Sequence, residues 1–194
     1  EGIAPAAVDW QRHPPKLIYV TPSHQYPTGS VLSLDRRMAL IAQARSAAAL
    51  IVEDDYDSEF RHEGPPLSCM QGLAADAPVL YLGTFSKTMF PALRIGFMVV
   101  PAVLVAPLSA MLARTTPRGR SADQLALAEF MHSGQFSLHL RRMRRLYRQR
   151  RDALVSALEQ QLGDVADVYG GSAGMHLALR LRNPRADDAA MSRV

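Results

Sequence analysis

Four short apolar runs, spaced far enough apart to hold helices between them, constrain this chain more than any other feature. They are Leu17–Thr21, Ala49–Val52, Val79–Leu82 and Ile95–Val100. Runs of this length, bounded by turn residues, predict strands, that of Ala49–Val52 a buried one. Between the first two, Ser33 is placed to cap a helix in which Leu34, Met38 and Ile41 recur at helical spacing. Strands alternating with helices imply an α/β fold, a mostly parallel sheet flanked by helices. In such sheets ligands bind beyond the carboxyl ends of the strands. Two polar clusters fall at such ends: EDDYDSEF (Glu53–Phe60) after the second run, and GTFSK (Gly83–Lys87) after the third. Their placement predicts one shared site that includes Asp54 and Lys87.

The remainder of the chain limits the alternatives. With 194 residues, 48% hydrophobic and 21% charged, there is enough apolar material for a packed core. Residues 95–112 are apolar enough to suggest a membrane span, but Gly96, Pro101 and Pro107 interrupt them. Proline inside a helix costs about 3 kcal/mol, so a strand, a turn at Pro101 and then a helix is the better reading. No basic-then-apolar leader opens the chain. One cysteine, Cys69, rules out an intrachain disulfide and fits a reducing, cytoplasmic compartment. From Ser121 onward the pattern is mainly helical, with Met143, Tyr147, Leu154 and Leu158 on one face. The glycines of GGSAG (Gly170–Gly174) are expected to end that helix, and Met175–Leu181 then alternates like a strand, with Arg180 interrupting.

Of the 22 basic residues only Lys16 and Lys87 are lysines, the rest being arginines. A lysine set in an apolar, turn-flanked segment therefore stands out. Imine chemistry requires a primary amine held in a fixed place, with its pKa lowered by burial or a nearby cation. Thr84, Ser86 and Arg94 surround Lys87 in sequence with hydroxyl and guanidinium donors suited to a phosphate. Asp54, at a strand end, has the chemistry to pair with a protonated pyridine nitrogen, and Tyr56 to hydrogen-bond a phenolate-type oxygen on the same ring. The acidic run also admits a plainer account, as a solvated loop or an oxygen-ligand site for Mg²⁺ or Ca²⁺ built from Glu53, Asp54, Asp55 and Asp57. No EF-hand spacing and no Walker A loop accompanies it. The loop PSHQYPTG (Pro22–Gly29), taken alone, is a turn shaped by Pro27 and Gly29.

In combination these segments say more. PSHQYPTG, EDDYDSEF and GTFSK with its downstream Arg94 resemble, in order and spacing, the fold-type I family of pyridoxal-phosphate (PLP) proteins. The resemblance is strongest to the aminotransferase-like effector domain of the MocR subgroup of GntR transcriptional regulators, and it extends over essentially the whole chain. It implies a PLP-dependent transferase fold with part of the large domain over residues 1–135, then a connecting helix and the start of the small domain over 136–194. It implies that Lys87 forms the internal aldimine, that Asp54 pairs with the pyridine nitrogen and Tyr56 with the ring hydroxyl, and that Thr84, Ser86 and Arg94 hold the phosphate. Tyr26 takes the slot of the asparagine usual in aminotransferases, leaving open whether His24 or Gln25 compensates. The Asp54-Asp55-Tyr56 spacing is the MocR pattern. The resemblance further implies a homodimer, PLP or a small amino compound as effector, and DNA contacted through a winged-helix domain expected upstream of Glu1. The carboxylate-binding arginine is expected beyond Val194 rather than at Arg180 or Arg182.

Seven arginines fall between Arg141 and Arg151. Such a run suits either a nonspecific phosphate-binding patch or the solvated face of a helix joining two domains; with one interleaved aromatic, Tyr147, the helix face is favoured. Three functions follow, in descending order: a ligand-sensing regulator, a class I/II aminotransferase moving an amino group between an amino acid and a 2-oxo acid, and a simple nucleic-acid-binding module.

Overall fold

The structure is a computed structural model that describes residues 2–115 and 120–183. Its main sheet has four strands in chain order: β1 (Leu17–Val20), β2 (Leu50–Asp55), β3 (Val79–Thr84) and β4 (Gly96–Val99). β1 and β3 both run parallel to β2, and β4 returns antiparallel to β3. The carboxyl ends of β1, β2 and β3 therefore share one edge of the sheet. The loops that leave that edge are PSHQYPTG, the stretch from Tyr56 and the turn carrying Lys87.

Helix α1 (Leu34–Ser46) connects β1 to β2. Ser33 caps it, its side chain accepting from the Arg36 N–H at 3.4 Å. The buried stripe is Arg37, Leu40, Ile41 and Ala44, so the expected face is corrected: Ile41 is buried, whereas Leu34 and Met38 are 53% and 43% exposed. Leu40, Ile41 and Ala44 pack with Ile18, Ile51, Met70 and Val79 into the core on one side of the sheet. Burial alternates along β2, with Ile51, Glu53 and Asp55 inward and Leu50, Val52 and Asp54 on the other face. That strand continues through Asp55, beyond the expected end at Val52, because its acidic tail stays in the ladder opposite Leu82 and Gly83. Asp54 is thus within the strand, not past it.

After β4, helix α2 (Ala102–Thr115) carries Pro107 in its second turn, and α3 (Ser121–His132) leads through Gly134 into α4 (Gln135–Leu162). At 28 residues α4 extends about 42 Å. It ends at Leu162 and not at the GGSAG glycines. A strand that the sequence pattern did not suggest, β5 (Ala166–Tyr169), comes first and pairs antiparallel with β6 (Ala178–Leu181). Among the described residues no helix is long and apolar enough to cross a membrane.

Candidate cofactor site

Strand periodicity builds the site. Side chains two apart share a face, and Tyr19 lies opposite Val52 in the β1–β2 ladder. Tyr19, Val52 and Asp54 therefore project from the same face, and the Tyr19 hydroxyl donates a hydrogen bond to Asp54 Oδ2. That bond, with lesser contributions from burial and from the charge of Asp54, pushes the Tyr19 phenol up to about 12. Tyr19 remains a proton donor near neutral pH and fixes the orientation of the carboxylate. It was not among the residues singled out from the sequence, because its role depends on a ladder register that no local motif encodes.

Tyr56 is half-buried, and its hydroxyl donates to the His24 carbonyl at 2.7 Å. Burial first, then the carboxylates of Asp57 and Asp54, raises its pKa well above the ordinary phenol value. Tyr19, Tyr26, Asp54 and Tyr56 line one cavity of about 750 Å³, together with Gln25 and Thr28. Within PSHQYPTG the backbone closes on itself: the Gly29 N–H reaches the Gln25 carbonyl at 2.7 Å, and the Gln25 N–H reaches the Ser30 carbonyl at 2.8 Å. The Gln25 carboxamide also accepts from the Thr28 N–H at 3.0 Å. His24 turns away, 1% exposed, with Nδ1 3.0 Å from Asp57 Oδ2. Of the two residues before Tyr26, Gln25 lines the cavity and His24 does not.

The phosphate-type donors gather at the end of β3. The Thr84 hydroxyl donates to Ser86 Oγ at 3.1 Å and accepts from the Ser86 N–H at 3.1 Å. Lys87 follows on an exposed turn, outside the lining of the 750 Å³ cavity. Its charge is one of the influences holding His176 below the ordinary imidazole range, after burial and His24. Arg94 is exposed, with φ 53° and ψ 34°, at the turn between Leu93 and β4. Tyr19, Tyr26, Asp54 and Tyr56 thus meet in one cavity, Thr84 and Ser86 meet each other, and Lys87 and Arg94 stand on turns at the same sheet edge.

The acidic run divides in two ways that composition does not reveal. Glu53 is fully buried, accepting from the Met70 and Gln71 N–H groups at 2.9 and 3.0 Å, with Arg37 Nη1 4.0 Å away. Asp55 accepts from the Ser58 hydroxyl at 2.6 Å and the Tyr81 hydroxyl at 2.9 Å. Both carboxylates are held by hydrogen bonds within the fold. Arg37 donates to the carbonyls of Leu32, Ser68 and Pro22 at 2.8 to 2.9 Å and so ties α1 to the start of PSHQYPTG. In the arginine run, Arg144 donates to the Glu59 carbonyl at 2.6 Å and Arg151 to Glu63 at 3.0 Å. Those two arginines fasten α4 to the segment after β2, in keeping with a connecting helix.

The family model for aminotransferase class I and II matches residues 6–194. The uncharacterized HTH-type transcriptional regulator YhdI of Bacillus subtilis is 41% identical over 98% of this chain, which spans 40% of that protein. The probable rhizopine catabolism regulatory protein MocR of Rhizobium meliloti is 42% identical over 93% of the chain and 36% of that protein. Among solved structures, a kynurenine aminotransferase of Pyrococcus horikoshii in complex with PMP superposes with a TM-score of 0.83 at 30% identity, over 91% of this chain and 43% of that one. The chain spans about two fifths of the length of these relatives.

Proposed function

The chain belongs to the aminotransferase class I and II family, and from that premise we propose that it is the PLP-holding part of the effector domain of a MocR-type transcriptional regulator. The observation that carries the reading is the Tyr19–Asp54 pair, set at the carboxyl edge of a parallel sheet in a cavity shared with Tyr26 and Tyr56. A buttressed carboxylate beside phenols fits a protonated pyridine carrying a ring hydroxyl. The Thr84–Ser86 hydroxyl pair suits a phosphate, with Arg94 on the neighbouring turn. Lys87 is the covalent attachment point. PLP, when bound, supplies an electron sink for the carbon next to an amine. The protein's own part would be to hold the ring: Asp54 would pair with the pyridine nitrogen, Tyr19 keeps that carboxylate oriented, and Tyr26 and Tyr56 would close the hydroxyl side. We place the boundary between large and small domains at residues 135 and 136, where α4 begins. A cytoplasmic homodimer, with DNA bound by a separate winged-helix domain, completes the proposal.

Two of the relatives above are named as regulators, which favours sensing over turnover. The similarity to a kynurenine aminotransferase supports a second reading, in which the same site exchanges amino groups between amino acids and 2-oxo acids. A ligand shifts a regulator only by binding its two states differently. Titrating PLP or an amine into the full-length protein on its own promoter DNA is therefore expected to change operator affinity. Unchanged DNA affinity combined with multiple-turnover transamination would assign the enzyme reading instead.

A further inference from the structure

Three side chains far apart in sequence meet beneath the PSHQYPTG loop. His24 comes from that loop, Asp57 follows β2, and His176 precedes β6. The His24 and His176 rings lie 4.1 Å apart between centroids, and one potential ligand atom from each of the three residues lies within 4.8 Å of the others. Asp57 Oδ2 accepts from the Met175 N–H at 3.1 Å and faces His24 Nδ1 at 3.0 Å. A ring that donates from Nδ1 to a carboxylate carries its lone pair on Nε2. Yet Nε2 of His24 and Nε2 of His176 are both buried without a hydrogen-bond partner among the described residues. Buried polar atoms are nearly always satisfied, so two orphaned imidazole nitrogens on adjoining rings call for a missing partner. Gly174 keeps the cluster intact: a Cβ there would stand 1.7 Å from His24 Nδ1 and 2.4 Å from Asp57 Oδ2. His176 lines a cavity of about 200 Å³.

We propose that the two Nε2 atoms of His24 and His176 bind one divalent transition-metal ion, best matched by Zn²⁺, with Asp57 orienting His24 from the far side of its ring. Imidazole nitrogens favour zinc over calcium or magnesium. A metal-bound histidine habitually donates its other N–H to a carboxylate or carbonyl, which is the relation of His24 to Asp57. The ion joins the PSHQYPTG loop to the segment before β6 and requires no PLP. Its test is therefore made on cofactor-free full-length protein and is separate from the reading of the preceding section.

The metal-stripped protein is titrated with Zn²⁺ against a chromophoric chelator. One equivalent per chain is expected. His176→Gln should abolish stoichiometric binding, Asp57→Asn should weaken it by about tenfold, and His132→Gln, on α3, should leave it unchanged. If His24→Gln fails to fold, the partly buried His176 still decides the matter. Absence of stoichiometric binding, or binding that His176→Gln leaves intact, overturns the proposal.

Discussion

Tyr19 and Asp54 form the smallest unit of the account. Removing the hydroxyl in Tyr19→Phe leaves the carboxylate without its donor. A hydrogen bond of this kind contributes about 0.5–1.5 kcal/mol, so PLP affinity should fall by roughly two- to tenfold, measured by absorbance titration of full-length protein. Unaltered affinity would deny Tyr19 its positioning role. Arg37 makes a different residue-scale prediction. Its guanidinium is 1% exposed, satisfies three carbonyls and faces Glu53. Arg37→Ala leaves that buried carboxylate with its two backbone donors but without its cation, and three carbonyls without their donor, at a cost of about 3–5 kcal/mol, readable by urea unfolding. The positions of Asp54, Tyr56 and Lys87 at or beside strand ends were legible from the sequence because apolar runs and the turns that follow them are local information. Tyr19, Arg37 and the division of labour within EDDYDSEF were not, because they depend on which strand lies beside which. An acidic run that looks solvated by composition places Glu53 in the core, since the strand it ends is inward-facing at alternate positions.

At the scale of elements, the PSHQYPTG loop is held against the start of the C-terminal region. Gly29 has φ +69°, and a Cβ there would meet the Gly170 Cα at 2.4 Å. Gly29→Ala therefore combines a left-handed backbone penalty of about 1–2 kcal/mol with a backbone clash. It should lower stability by at least that amount and weaken PLP binding as the loop shifts; a fully stable variant with normal binding would show that the two segments are not pressed together. The four strands of the main sheet, the capping role of Ser33 and the break at Pro101 could all be read from apolar runs and turn residues. The buried face of α1 could not, because Leu34 and Met38 flank the stripe that the sheet covers. Strand β5 escaped because helical periodicity was carried forward to the first glycine pair. Ala166–Tyr169 becomes a strand through pairing with β6, a partner some ten residues downstream.

For the molecule as a whole, two histidines link stability to pH. Burial holds His62 and His176 below their ordinary imidazole value. The unfolded chain then binds protons at a higher pH than the folded one, so stability is lost as pH falls from about 6.5, the unfolded value. Midpoint temperatures measured from pH 7.5 down to 5.5 should decline, and His62→Gln should shallow that decline; an identical slope would remove His62 from the explanation. All of these interactions serve one central claim, that the parallel edge of this sheet presents a PLP site with Lys87 as its amine. The most direct test is borohydride reduction of the PLP-loaded full-length protein followed by peptide mass spectrometry. The account predicts a phosphopyridoxyl group on Lys87, lost in Lys87→Ala. Labelling within this chain at Lys16 instead, or reduction and cofactor retention unchanged in Lys87→Ala, would contradict it.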